Sequence, residues 1–167
     1  KLTLQLMTTA GNKVRETTQV FLQKQWRDVG IEITTKNEAP RVFFGDTVKK
    51  RKFSALAMYA WSAFPEKIPG QFHSRSIPSE KNNWSGRNSM GWSNSKFDVL
   101  IEKLEKELNA SARKKIAAEL QKIYSEDVPT LSLFYRAEVA LAPIKLKNYQ
   151  ITGHQFSETN EIEKWSW

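Results

Sequence analysis

The opening of the chain constrains its fold more than any other feature. Leu2-Thr3-Leu4-Gln5-Leu6 alternates apolar and polar residues, the period of a strand with one buried face. Thr8 to Asn12 reads as a turn around Gly11, with Asn12 placed to cap a helix. From Lys13 to Val29 the residues Val14, Phe21, Leu22, Trp26 and Val29 fall on one helical stripe, predicting an amphipathic helix. Gly30 follows where a left-handed residue ends such a helix, and Ile31 to Thr35 is a second strand. Strand, helix and strand with short links is the βαβ pattern of an α/β sheet.

The next elements are shorter. Val42 to Lys52 is predicted as a short helix with Val42, Phe43 and Val48 inward, and Phe53 to Trp61 as a buried strand ending on an aromatic ring. Ser62 to Ser93 then shows neither period and contains Pro65, Pro69, Gly70, Pro78, Gly86 and Gly91. Unstructured connections beyond ~15 residues are uncommon in compact domains and are often functional. This one, with Trp61 at its start, carries Phe64, Phe72, Trp84 and Trp92, so it is a candidate binding surface.

Asn88 to Asp98 joins two unlike halves. Its Gly91, Asn94 and serines suit a turn, and Ser95 with Asp98 three residues on resembles a capping box. Beyond it, Phe97, Leu100, Ile101, Leu104 and Leu108 form one helical stripe. Ala112, Ile116, Leu120, Ile123 and Tyr124 form another, predicting two antiparallel helices. Thr130 to Tyr135 is a further predicted strand, with Val139 to Ala142 a candidate for another.

The composition narrows the function. The 167 residues suffice for one domain with a core, and no apolar run approaches the ~20 residues of a membrane span. The chain begins in a strand without a starting Met, as a processed protein or an excised fragment does. There is no cysteine, which removes disulfides, thiolate metal sites and cysteine nucleophiles. The net charge of +8 is spread out except at Lys49-Lys50-Arg51-Lys52. No nucleophile elbow or phosphate-binding glycine loop is found, and His73 and His154 lack partners at metal-ligand spacing. The expectation is therefore no catalytic residue, no metal and no cofactor. A basic module binding anionic partners such as nucleic acid through Lys49 to Lys52 is the alternative reading.

The order of motifs resembles a known family. Trp26-Arg27-Asp28-Val29-Gly30-Ile31, Asn37-Glu38, Phe53 to Trp61, Asn88 to Asp98, and Glu119 to Tyr135 occur in this sequence. In the last stretch Glu119, Gln121, Ile123, Glu126, Asp127, Pro129 and Tyr135 match the family pattern. Together they are similar, in the same order, to the C-terminal lobe of extracellular solute-binding proteins that feed ABC importers, of the oligopeptide, dipeptide and nickel type. Ser54 stands where that pattern has Asp, and Trp92 where it has Tyr.

The resemblance implies an α/β fold, one lobe of a type II periplasmic-binding-protein architecture with a mixed sheet flanked by helices. Residues 1–167 would be a single domain, the C-terminal lobe of a larger two-lobe protein whose N-terminal lobe is not in this sequence. It implies a small solute or short peptide as ligand, an ABC permease as membrane partner, and a periplasmic or extracellular location. The resemblance also allows a membrane anchor in the full-length protein. Expected ligand-binding residues are Tyr59, Trp61, Ser62, Ala63, Phe64, Asn88 and Trp92. Peptide-binding members place an Asp three residues after the strand's Trp to pair with the peptide amino group; here that place is Phe64, so no such pair is expected.

Overall fold

The structure, a computed structural model, describes residues 1–61, 69–135, 137, 139–151 and 158–167. β1 (Leu2–Thr9), α1 (Lys13–Asp28) and β2 (Ile31–Glu38) form the expected βαβ unit. β1 and β2 pair in parallel from Leu2–Ile31 to Thr9–Glu38. A two-residue β3 (Leu56–Ala57) pairs in parallel with Leu6 and Met7, giving the order β2-β1-β3. β1 is thus the central strand, and its end, Leu6 to Thr9, is buried residue after residue, as a strand covered on both faces should be. The antiparallel part of the expected mixed sheet is not found among the described residues, apart from an isolated bridge between Lys147 and Ser166.

α1 is capped as its sequence predicts. The Asn12 side chain accepts from the Arg15 N–H at 3.2 Å, and Gly30 takes φ +86° beyond the last turn. Its apolar stripe is turned away from the expected direction. Leu22 and Trp26 are half-buried, whereas Val14, Phe21 and Val29 are exposed. The residue buried on the sheet is Gln19, whose Nε2 donates to the Leu6 carbonyl at 3.0 Å and to Asn37 Oδ1 at 2.9 Å. Gln23 donates likewise to the Ile33 carbonyl at 2.9 Å. Buried amides are tolerated when so paired. These two anchors rotate the helix until only one edge of the apolar stripe meets the sheet.

After β2 comes a single α-turn, α2 (Pro40–Val42), which continues as a π-helical segment, Phe43–Val48. Phe43 and Val48 are buried as expected, but Val42 is exposed. The helix stops short of Lys52 because Arg51 adopts a left-handed conformation, φ +55°. The strand expected over 53–61 is reduced to β3, extended by a bond from the Met58 N–H to the Met7 carbonyl at 2.8 Å.

The second half is helical. α3 (Ser95–Lys106) and α4 (Ala110–Asp127) pack on each other across the link 107–109. Asn94, not Ser95, caps α3: its Oδ1 accepts from the Phe97 N–H at 3.1 Å. Asp98 is drawn away from any capping box by Ser74, whose N–H donates to it at 2.9 Å and whose hydroxyl also donates to it. Phe97, Leu100, Ile101, Leu120 and Ile123 form the core, with Leu104, Ile116 and Tyr124 against it. Leu108 falls in the link and is exposed. The strands expected at 130–135 and 139–142 are not formed among the described residues. A strand needs a neighbouring edge for its backbone groups, and among the described residues this segment is paired with neither outer strand of the sheet.

Candidate functional site: a groove at the end of the third strand

In open α/β sheets, ligands bind beyond the carboxyl ends of the strands. Here the chain leaving β3 carries Tyr59 and Trp61 past that end. Tyr59 is half-buried and stands edge-on to Phe43, Phe44 and Trp61, with ring centroids 6.2, 6.0 and 5.8 Å away. Phe43 is fully buried and Trp61 is 45% exposed, so these rings run from core to surface. Burial raises the Tyr59 phenol above its ordinary pKa, partly offset by hydrogen bonds with Ser89 and Trp61. Its neutral form is therefore favoured by the fold.

Trp61 opens onto a groove of about 730 Å³, lined by Phe44, Val48, Lys49, Trp61, Asn83, Trp84, Ser85, Gly86, Arg87 and Ser89. One wall is the π-helical segment and the other is the loop 83–89. The Arg87 guanidinium lies over the Trp61 ring, 5.0 Å from its centroid. Such a contact at an exposed site is worth about 0.5–1 kcal/mol and helps hold both side chains in place.

The loop wall is tightly determined. A capping box closes the turn Glu80–Asn82: Asn82 Oδ1 accepts from the Ser79 N–H at 2.9 Å, and Asn82 Nδ2 donates to the Ile77 carbonyl at 2.9 Å. Asn83 and Trp84 both take positive φ, +52° and +57°, an uncommon state for two successive non-glycine residues. Gly86, at φ +131°, lies so close to the Ser76 carbonyl that no side chain would fit. Arg51 closes the seam by donating to the Ser89 carbonyl at 3.1 Å.

Of the residues expected to bind ligand, Tyr59 and Trp61 are brought together, with Trp61 lining the groove and Tyr59 behind it. Ser62, Ala63 and Phe64 lie outside the described residues. Asn88 and Trp92 do not line the groove. Asn88 is completely buried, and its Nδ2 reaches the carbonyls of Phe72, His73 and Trp92 at 3.0, 3.2 and 2.8 Å. Trp92 packs on Phe97 at 4.6 Å, and its Nε1 donates to Asp127 at 3.0 Å. Asn94 donates to the same carboxylate at 2.9 Å. Asn88 to Asp98 therefore works as a clasp that fixes the loop to both helices.

Sequence reasoning missed Lys49, Arg87 and Phe44 as groove residues. Arg87 immediately precedes the Asn88 motif, and this adjacency was the only available signal. The basic run 49–52 is not a free patch. Lys50 and Lys52 pair with Asp46 at 2.9 and 2.8 Å, and Arg51 is engaged at Ser89, so the reading as a basic nucleic-acid module is not supported. Among the described residues, no group of three or more His, Asp or Glu side chains is placed to hold a metal ion. Among them also, no helix is long and apolar enough to cross a membrane.

No family model matches the chain. The oligopeptide-binding protein AppA of Bacillus subtilis (strain 168) is 30% identical over 174 residues, which cover 99% of this chain and 29% of AppA. The nickel-binding protein NikA of Staphylococcus aureus (strain NCTC 8325 / PS 47) is 25% identical, with 90% of this chain and 29% of NikA covered. Among solved structures, the oligopeptide-binding protein of Thermus thermophilus, complexed with a pentapeptide, superposes with a TM-score of 0.80 at 28% identity. That match covers 89% of this chain and 26% of the other. The chain spans under a third of the length of the curated relatives it matches.

Proposed function

We propose, because this chain is a homologue of ABC-importer substrate-binding proteins of the oligopeptide and nickel type and carries part of their type II fold, that it forms one wall of a solute cleft and catalyses nothing. The observation that carries this reading is Trp61, half-exposed at the carboxyl end of β3 and facing a groove of about 730 Å³. Pockets for small ligands measure ~300–1,000 Å³ and combine aromatic surface with a few fixed polar groups. Residues 62–64 follow Trp61 in sequence and would complete this wall, with Asn88 and Trp92 as positioning residues.

In this reading the chain is the C-terminal lobe of a two-lobe protein outside the cytoplasm, acting by hinge closure on a peptide-type solute. The closed form would deliver the solute to a membrane permease. Support for a second lobe comes from apolar side chains left exposed: Leu131, Leu133, Phe134, Tyr135, Val139, Leu141 and Ile144 follow one another along an irregular segment. Contiguous exposed apolar surface marks an interaction site. The test is a thermal-stability screen of the chain expressed with its upstream coding sequence, against short peptides, chelated nickel and sugars. A rise in melting temperature with peptides, absent in Trp61→Ala, is expected. No rise with any solute would overturn the proposal.

A further inference from the structure

We infer that the groove beside Trp61 selects ligands bearing a carboxylate; this rests on the solute-binding reading above. The charged side chains lining the groove are Lys49 and Arg87, and no acidic residue lines it among the described residues. Among the described residues neither cation has a carboxylate partner, although Lys50 and Lys52 on the same turn both pair with Asp46. Lys49 is the one lysine of that run facing the groove. Arg87 is held over the Trp61 ring, and stacking leaves the edge of a guanidinium free to donate. Two cations, Arg87 held on the ring and Lys49 exposed beside it, next to an exposed indole and the Trp84 ring, fit a ligand with a negative group next to an apolar or aromatic one. Recognition on this wall is therefore of a ligand anion.

The carboxylate has two possible sources in a peptide, an acidic side chain or the C-terminus. Binding of the full-length protein would be measured calorimetrically with a tetrapeptide containing Asp, its Asn isostere, its Lys counterpart, and C-terminally amidated forms of each. Charge-assisted hydrogen bonds support about 10-fold or tighter binding of the peptide that keeps the recognised carboxylate. Weaker binding on Asp→Asn assigns the side chain, and weaker binding on amidation assigns the terminus; either supports the inference. Arg87→Gln and Lys49→Gln, both at exposed positions, should abolish this carboxylate preference; Lys49→Gln should do so without lowering the melting temperature, and Arg87→Gln should lower it only by the loss of the contact with Trp61. Arg87→Lys should retain part of it.

Peptide binding that ignores ligand charge, or an acidic preference that survives both substitutions, overturns the inference and leaves the solute-binding reading intact. Absence of binding by every peptide, in a protein that melts cooperatively, overturns both.

Discussion

The sheet unit and the helix pair solve the same burial problem differently. In the helix pair, α3 and α4 present the apolar residues their periodicity dictates, and Phe97, Leu100, Ile101, Leu120 and Ile123 close a core between them. In the sheet unit, the buried cluster is Met7, Phe43 and Val48, while α1 turns Gln19 inward and leaves Val20 and Phe21 exposed. Periodicity decides orientation when nothing polar competes for the interface. Where two glutamines reach main-chain carbonyls, their hydrogen bonds decide it instead. The helix pair closes its own core; the sheet unit keeps apolar surface and an open groove, and there the proposed binding site lies.

The comparison can be broken most forcefully in the two cores. Phe43→Ala should cost about 3–5 kcal/mol and Ile101→Ala about 2–5 kcal/mol, measured by urea denaturation. Phe43→Ala should also loosen Tyr59 and weaken solute binding, whereas Ile101→Ala should leave any residual folded protein with unchanged affinity. Equal effects on affinity would show that the units are not distinct.

The clasp between the halves comes next. Asn88→Ala strands three carbonyls that now share one amide, and each buried unpaired group costs about 1–3 kcal/mol. A change below about 1 kcal/mol would mean that the motif does not hold the loop. Smaller again is the cap of α3. Asn94→Ala should cost ~1 kcal/mol, while Ser95→Ala should cost almost nothing, the reverse of what the Ser95–Asp98 spacing suggests.

The sheet unit should also carry an acid-sensitive contact. The Thr47 hydroxyl, donating at 2.5 Å, holds Glu38 below the usual carboxylate range; burial opposes it, Lys36 adds to it and Asp46 opposes it. A depressed carboxylate stabilises the fold above its unfolded pKa of ~4.3, and that contribution is lost as pH falls through the lower folded value. Thr47→Val should therefore flatten the acid limb of the stability profile. An unchanged limb would remove Thr47 from the explanation.

Much of this was legible in the sequence. The βαβ unit followed from Leu2–Leu6, Asn12 and Gly30, and the helix pair from its two stripes. The resemblance to solute-binding proteins rested on motif order, and the relatives agree with it. The turned face of α1 was not legible, because a glutamine reads as surface until its carbonyl partners are placed. The strands at 130–135 and 139–142 were overread, since an apolar run shows willingness to pair but not the presence of an edge. The groove was half legible. Trp61 announced itself at the end of a strand, whereas Lys49 looked like part of a charge run until Asp46 claimed its neighbours. Phe72 and Trp92, counted with the loop's binding aromatics, went to the helix core.

Solute is expected to meet the molecule at Trp61 and not at the clasp. The most direct test is to follow the tryptophan indole N–H signals by NMR as peptide is added to the full-length protein, assigned by single substitution. The signal of Trp61 should shift with saturation while that of Trp92, bonded to Asp127, stays in place. Movement of Trp92 with Trp61 unmoved would contradict the account.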